Sequence, residues 1–92
     1  MANVIITFKI MPEEPGVDLT KIEKQVKEKI EAHVGPGEMR TEIEPIAFGL
    51  KALKITFVMD EQKGATDPLE EQVQTIEGVQ SVQVIDVRRA VG

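Results

Sequence analysis

The sequence predicts an α+β domain in which the elements follow the order βαββαβ. Three observations support this prediction. Four segments alternate apolar and polar residues with the period of a half-buried strand. Two further segments repeat apolar residues at the spacing of an amphipathic helix. Proline, glycine and capping residues separate these six segments.

The first strand and the first helix have clear limits in the sequence. Asn3 to Met11 alternates, and the prolines and glycine of Pro12 to Gly16 cannot continue a strand. Asp18 is placed to cap the next helix, which Gly35-Pro36-Gly37 ends. The residues predicted to face the core are Val4, Ile6, Phe8 and Ile10 in the strand and Leu19, Ile22, Val26, Ile30 and Val34 in the helix.

The centre of the chain predicts a hairpin. Met39 to Ala47 has the pattern of a second strand, with Pro45 at an edge or a bulge, and Leu50 to Met59 has that of a third. The short link around Phe48-Gly49 indicates a tight turn between them. The core face of the third strand is predicted to consist of Leu53, Ile55, Phe57 and Met59.

The last third of the chain predicts a polar loop from Asp60 to Ala65, then a helix and a strand. The helix is expected to have Asp67 as its N-cap, an apolar stripe of Leu69, Val73 and Ile76, and Gly78 as the C′ residue. The strand is expected from Val79 to Val87, with Arg88-Arg89 as a solvated tail. The complete order predicts a ferredoxin-like sandwich, a four-stranded antiparallel sheet with two helices on one face.

Composition limits the functional classes. We expect residues 1–92 to form a single small domain. The absence of cysteine excludes disulfides, thiol catalysis and thiolate metal sites. A formal charge of −5 and only three aromatic residues disfavour nucleic-acid binding. The apolar run from Val4 to Ile6 is too short for a signal peptide or a membrane span, so we expect a cytoplasmic protein that binds no membrane.

Enzyme chemistry has little support, and no metal or cofactor is expected. The chain has one histidine, His33, at the end of the first helix, where a structural role is favoured over catalysis. Gly35-Pro36-Gly37 lacks the spacing and lysine of a phosphate-binding loop. Asp60-Glu61 is more simply a solvated loop than a functional one. Phe48 leaves two interpretations open: its ring folds over the sheet edge, or it enters a pocket on another protein.

The run Ala47-Phe48-Gly49-Leu50-Lys51-Ala52-Leu53 resembles the exchange domain of elongation factor 1-beta. In that family a Gly-Phe-Gly or Gly-Tyr-Gly turn precedes Ile-Lys-Lys-Leu and an apolar strand. Leu69-Glu70-Glu71-Gln72-Val73 is similar to the family's second helix, and Val79-Gln80-Ser81 to the start of its last strand. The resemblance extends over the whole chain and is closest to the compact archaeal form. Ala47 and Ala52 depart from the pattern, replacing a glycine and the second lysine.

The resemblance implies guanine-nucleotide exchange on elongation factor 1-alpha, the GTPase that delivers aminoacyl-tRNA to the ribosome. It implies a partner-binding surface made of Phe48, Gly49, Lys51, Arg88 and Arg89. Phe48 corresponds to an aromatic residue that inserts into the GTPase, and the resemblance implies that this aromatic side chain and a basic residue both act near the magnesium and phosphate site. Arg89 lies where eukaryotic members have a lysine that approaches the magnesium and phosphate site, and Arg88 is an alternative for that role. We expect a monomer when the protein is free.

Other functions are compatible with the same fold. The main alternative is a small-molecule-binding regulatory module, which would hold its ligand between sheet and helix edges. A metal carrier is disfavoured by the absence of cysteine, and an RNA-binding sheet by the acidic charge. Fold alone does not choose among these functions.

Overall fold

The computed structural model describes residues 3–35, 37–63 and 66–90. Its elements are β1 (Asn3–Pro12), α1 (Leu19–Val34), β2 (Met39–Pro45), β3 (Lys51–Asp60), α2 (Asp67–Gln74) and β4 (Val79–Ala90). A short hairpin turn lies at Ala47–Gly49 and a single turn of 3₁₀ helix at Glu61–Lys63. The loop positions Pro36, Gly64 and Ala65 lie outside the described residues.

The four strands form one antiparallel sheet in the order β2-β3-β1-β4. The two inner strands are therefore β1 and β3, which have the most apolar sequences, and β2 and β4 are the edges. Ile6 lies opposite Phe57 on one side and Val87 on the other, which sets the register across the centre. This order and pairing confirm the predicted ferredoxin-like sandwich.

One face of the sheet and both helices enclose a single apolar core. Alternate side chains of β1 and β3 point to this face, as the period of two requires. The rings of Phe8 and Phe57 meet edge to face, with their centroids 5.1 Å apart. The predicted stripes of both helices complete the core, with Ile22, Val26, Ile30, Leu69, Val73 and Ile76 buried and Leu19 and Val34 partly buried. Neither helix in the described part of the chain has the length and hydropathy that a membrane span requires.

The two helices differ in how well the sequence predicts their ends. Asp18 caps α1, because its carboxylate accepts hydrogen bonds from the N–H groups of Thr20 and Lys21. The N-cap predicted for α2 was wrong: Thr66 occupies that position and Asp67 is already helical. The Thr66 hydroxyl donates to Glu70 Oε2 at 3.0 Å. This bond stabilises the first turn of a helix that begins one residue earlier than predicted.

The C-terminal end of α2 also differs from the prediction. The helix ends at Gln74 with Thr75 as its C-cap, so Gly78 is not the C′ residue. The N–H groups of Thr75 and Ile76 donate to the carbonyls three residues earlier, which tightens the chain into turns. Gly78 has φ +93° and ends this series of turns. Glycine is therefore required here by the positive φ of the last turn before β4, and not by the end of the helix.

The lengths of two strands also depart from the sequence boundaries. The strand predicted to reach Ala47 ends at Pro45, where the hairpin turn begins. The strand predicted to end at Val87 continues to Ala90, because Arg88 pairs with Ile5 and Arg89 with Val4. The arginines are therefore not a tail beyond the sheet but part of its edge strand, and their side chains are solvated as expected, at 75% and 68% exposure.

Candidate functional site

The turn between β2 and β3 has an unusual backbone for its sequence. Phe48 has φ 64° and ψ 29°, in the left-handed region, and Gly49 follows with φ 77°. The Leu50 N–H donates to the Ala47 carbonyl at 3.3 Å. These are features of a type I′ hairpin turn with Phe48 at the first central position, where asparagine, aspartate or glycine is usual.

Phe48 is held in this conformation with its ring in solvent. The side chain is 95% exposed, so the interpretation in which it folds over the sheet edge was wrong for the free protein. A left-handed L-residue costs about 1–2 kcal/mol, and no burial of the ring in the chain offsets this. Strained positions of this kind cluster at binding sites, which makes Phe48 the strongest candidate on the surface.

The neighbours of Phe48 show which residues the turn requires. Gly49 supplies a second positive φ, and a Cβ there would meet nothing within 4 Å, so conformation rather than space demands glycine. Ala47 is not among the residues with positive φ, so alanine at this position fits the turn without the family's glycine. Gly49 and Lys51 line a surface groove of about 390 Å³ together with Ile43, which is 48% exposed.

An ion pair braces the hairpin that presents Phe48. Glu44 Oε2 lies 2.6 Å from Lys54 Nζ, which joins the edge strand β2 to β3. The hydrogen bond from Lys54, reinforced by its charge, holds the pKa of Glu44 below its ordinary value. The same hydrogen bond raises the pKa of Lys54 against the opposing effect of desolvation. Both groups are therefore charged at neutral pH, and the pair holds β2 to β3 four residues before Phe48.

Arg88 and Arg89 project from opposite faces of the sheet. Arg89 lies opposite Val4, which packs against the core, so Arg89 is on the helix face. Arg88 lies opposite Ile5 and is on the other face. Arg88 Nε lies 3.0 Å from Asp86 Oδ2 on its own strand, whereas Arg89 Nη2 donates to Glu61 Oε1 in the β3–α2 connection. The two arginines are therefore not interchangeable in this fold.

The structure does not bring the aromatic and basic candidates together. Arg89 is level with Val4 and, across β1, with Met59 near the end of β3. Lys51, beside the Phe48 turn, begins β3 eight residues earlier. At about 3.3 Å per residue the two candidate positions are separated by about 26 Å along the strands. They lie at opposite ends of a molecule whose longest dimension is 42 Å.

Catalytic and metal-binding arrangements are weakly represented. His33 is half-buried in the last turn of α1. Within residues 3–35, 37–63 and 66–90, no group of three or more histidine, aspartate or glutamate side chains is arranged to hold a metal ion.

Comparison with known proteins tests the resemblance. The model of the EF-1 guanine nucleotide exchange domain matches residues 5–90. The chain is 43% identical over 89 residues to elongation factor 1-beta of Methanothermobacter thermautotrophicus, covering 97% of this chain and 98% of that protein. It is 44% identical over 92 residues to elongation factor 1-beta of Staphylothermus marinus, at 97% and 98% coverage. The chain belongs to the EF-1 guanine nucleotide exchange domain family.

Membership in the exchange domain family confirms the resemblance and places all five candidate residues inside the matched range. The structure adds Glu61 to these candidates. Glu61 was assigned to a solvated acidic loop, but its carboxylate accepts a hydrogen bond from Arg89, 28 residues away in the chain. No local pattern links the two residues, since only the pairing of β4 with β1 and of β1 with β3 brings them together.

Proposed function

We propose that this protein promotes GDP release from elongation factor 1-alpha during translation elongation. The family match and the names of its relatives support guanine-nucleotide exchange. The observation that carries the proposal is the turn at Phe48, where a strained backbone presents a phenyl ring that is 95% exposed. Such a ring gains most when it is buried in a pocket of another protein.

Exchange requires preferential binding to one state of the GTPase. The factor must bind the nucleotide-free state more tightly than the GDP-bound state, because only differential affinity shifts the equilibrium. By reciprocity, it weakens nucleotide binding by the same factor. Burying the Phe48 ring contributes about 1.5–3 kcal/mol to the complex. No covalent bond forms or breaks, so the protein acts as an exchange factor and not as an enzyme of covalent chemistry.

We assign Arg89 to the magnesium and phosphate site of the GTPase. A guanidinium there would repel Mg²⁺ and compete for its carboxylate ligands, which weakens the hold on GDP. Phe48 lies beyond Lys51, which is itself about 26 Å along the strands from the level of Arg89, so only one of the two candidates can act at that site. We therefore propose that Phe48, with Gly49 and Lys51, docks on a separate part of the GTPase. Arg88, on the other face of the sheet, is the alternative basic residue.

The proposal also concerns partners and location. We propose that residues 1–92 act as a single exchange domain that is monomeric when free. A net charge of −5 supports a protein partner over nucleic acid or an anionic membrane. Translation places the GTPase, and with it this protein, in the cytoplasm.

Release of a fluorescent GDP analogue from elongation factor 1-alpha tests the function. The analogue is preloaded on the GTPase and chased with unlabelled nucleotide, with this protein at substoichiometric amounts. Faster release with turnover supports the proposal. No acceleration of a competent GTPase would contradict it and would favour a small-molecule regulatory module, which a ligand screen would test.

The same assay separates the two arginines. Arg89→Ala is expected to reduce release more than Arg88→Ala, because Arg89 is on the helix face and is held to the β3–α2 connection. The two variants remove the same charge from adjacent positions, so each is the matched control of the other. A larger loss with Arg88→Ala would transfer the basic role to that residue, and equal small effects would remove it from both.

A further inference from the structure

The contact between Glu61 and Arg89 joins two elements at one end of the sheet. Glu61 begins the 3₁₀ turn that follows β3, and Arg89 lies near the end of β4. Both side chains are partly in solvent, at 44% and 68% exposure respectively. Glu61 is held in place by its own turn, because the Gln62 N–H donates to Asp60 Oδ1 at 2.9 Å. The carboxylate is therefore offered to Arg89 from a fixed backbone.

We propose that Glu61 is a positioning residue that orients the Arg89 guanidinium for its action on the GTPase. This inference rests on the proposed exchange function and on the basic role of Arg89. An unpaired arginine on an edge strand samples many rotamers, and a carboxylate partner limits them. A guanidinium has five N–H donors, so the bond from Nη2 to Glu61 leaves others for a phosphate or a carboxylate of the partner.

The neighbouring pair shows what is particular to Glu61. Arg88 is paired with Asp86, two residues earlier on the same strand, so that pair moves with β4. Glu61 instead ties β4 to the segment that follows β3. Glu61 thereby fixes Arg89 relative to the core, because Met59, which lies in β3 two residues before Glu61, is a core residue. Exposed ion pairs couple weakly, so removal of Glu61 should reduce exchange by about 1.5- to 5-fold.

A double-mutant cycle with the full chain tests the inference in the GDP-release assay. The variants are Glu61→Ala, Glu61→Gln, Arg89→Ala and the double variant Glu61→Ala/Arg89→Ala. We expect Glu61→Ala to lower the same kinetic parameter as Arg89→Ala, by a smaller factor. Glu61→Gln should recover part of the loss, because its amide oxygen still accepts from Arg89. The double variant should be no slower than Arg89→Ala alone, because Glu61 acts only through Arg89.

Asp86→Ala is the matched control, since it removes the same charge and frees the adjacent arginine on the other face of the sheet. Its exchange rate should remain within about 1.5-fold of the wild type. Glu61→Ala with the same rate as Asp86→Ala would overturn the inference. Additive losses in the double variant would also overturn it, because Glu61 would then act without Arg89. A wild-type chain that does not accelerate GDP release would overturn the exchange function and this inference together.

A measurement without the GTPase tests the structural half. In NMR spectra of the free protein, the Nε–H group of Arg89 should become more mobile on the nanosecond timescale in Glu61→Ala, whereas that of Arg88 should not change. Asp86→Ala should produce the reverse pattern. An Arg89 order parameter that Glu61→Ala leaves unchanged would refute the positioning role even if exchange were reduced.

Discussion

Replacement of Phe48 separates the contribution of its ring from that of its backbone. The ring is 95% exposed, so Phe48→Ala removes almost no buried area and should change the free energy of unfolding by less than about 0.5 kcal/mol. Phe48→Gly also relieves the left-handed conformation at φ 64°, which costs an L-residue about 1–2 kcal/mol. The greater freedom of glycine in the unfolded chain offsets about 0.5–1 kcal/mol of this gain.

Phe48→Gly should therefore be more stable than Phe48→Ala, by up to about 1.5 kcal/mol. For a domain of this size, that limit corresponds to a rise in melting temperature of up to about 12 °C. Exchange should respond in a different way, because both variants lack the ring. Loss of about 1.5–3 kcal/mol of burial in the complex predicts a decrease in kcat/KM of about 10- to 150-fold in each. A more stable protein with lower activity is the expected signature of a strained binding residue.

The assays are chemical denaturation and release of a fluorescent GDP analogue, measured on the same preparations. Ile85→Ala is the control, because Ile85 is a 44%-exposed apolar residue in the middle of β4, away from the turn. Its exchange activity should remain within about twofold of the wild type. Wild-type exchange by Phe48→Ala would refute the binding role. Loss of more than about 1 kcal/mol of stability in Phe48→Ala would refute the exposed placement of the ring.

Two further predictions concern the scaffold that holds the site. The pKa of Glu44 is lowered from its ordinary value of 4.5, so its pair with Lys54 stabilises the fold fully at pH values above 4.5. This contribution is lost as the pH falls through the lowered pKa of the folded protein. The unfolding free energies of the wild type and Glu44→Gln, measured by denaturation from pH 7 to pH 3, should therefore converge in acid, and a constant difference would contradict this. Asp18→Ala should lower the unfolding free energy by about 1 kcal/mol, because Asp18 caps two N–H groups of α1. Thr66→Ala should lower it less, because the Thr66 side chain caps no backbone group of α2, and equal losses would argue against the assigned cap.

Much of the fold was predictable because apolar residues that become buried recur at regular spacings along the sequence. The alternation at Val4, Ile6, Phe8 and Ile10 identifies a strand with one buried face, and three of these residues are buried while Val4 packs at the edge of the core. The cap at Asp18 was predictable because a local hydrogen bond decides it. Burial at spacings of two, three or four residues is a local signal, so it appears in the sequence without knowledge of the partners.

The error at the end of β4 occurred where long-range pairing overrides local chemistry. Arg88 and Arg89 have the composition of a solvated tail, yet they extend β4 because the first residues of β1 offer free backbone partners. As consecutive residues of a strand they point to opposite faces, and the register decides that Arg89 is the one on the helix face. The two carboxylate partners, Asp86 and Glu61, differ for the same reason. For Phe48 the location was predictable, because the Phe-Gly pair marks the turn in the sequence. Its left-handed backbone was not, because phenylalanine seldom adopts that conformation, and only the structure shows it.

The separation of the two ends has a consequence for how their effects combine. Phe48 and Arg89 lie at opposite ends of a hydrogen-bonded sheet, more than about 26 Å apart along the strands, so their contributions to exchange should be independent. The kcat/KM of Phe48→Ala/Arg89→Ala should equal the wild-type value reduced by the product of the two single losses. Glu61→Ala/Arg89→Ala is the comparison in which the losses should not multiply. If the double variant were no slower than the more impaired single variant, Phe48 and Arg89 would have to act through one contact. Two residues at opposite ends of a rigid sheet cannot share a contact, so this result would refute the assigned roles.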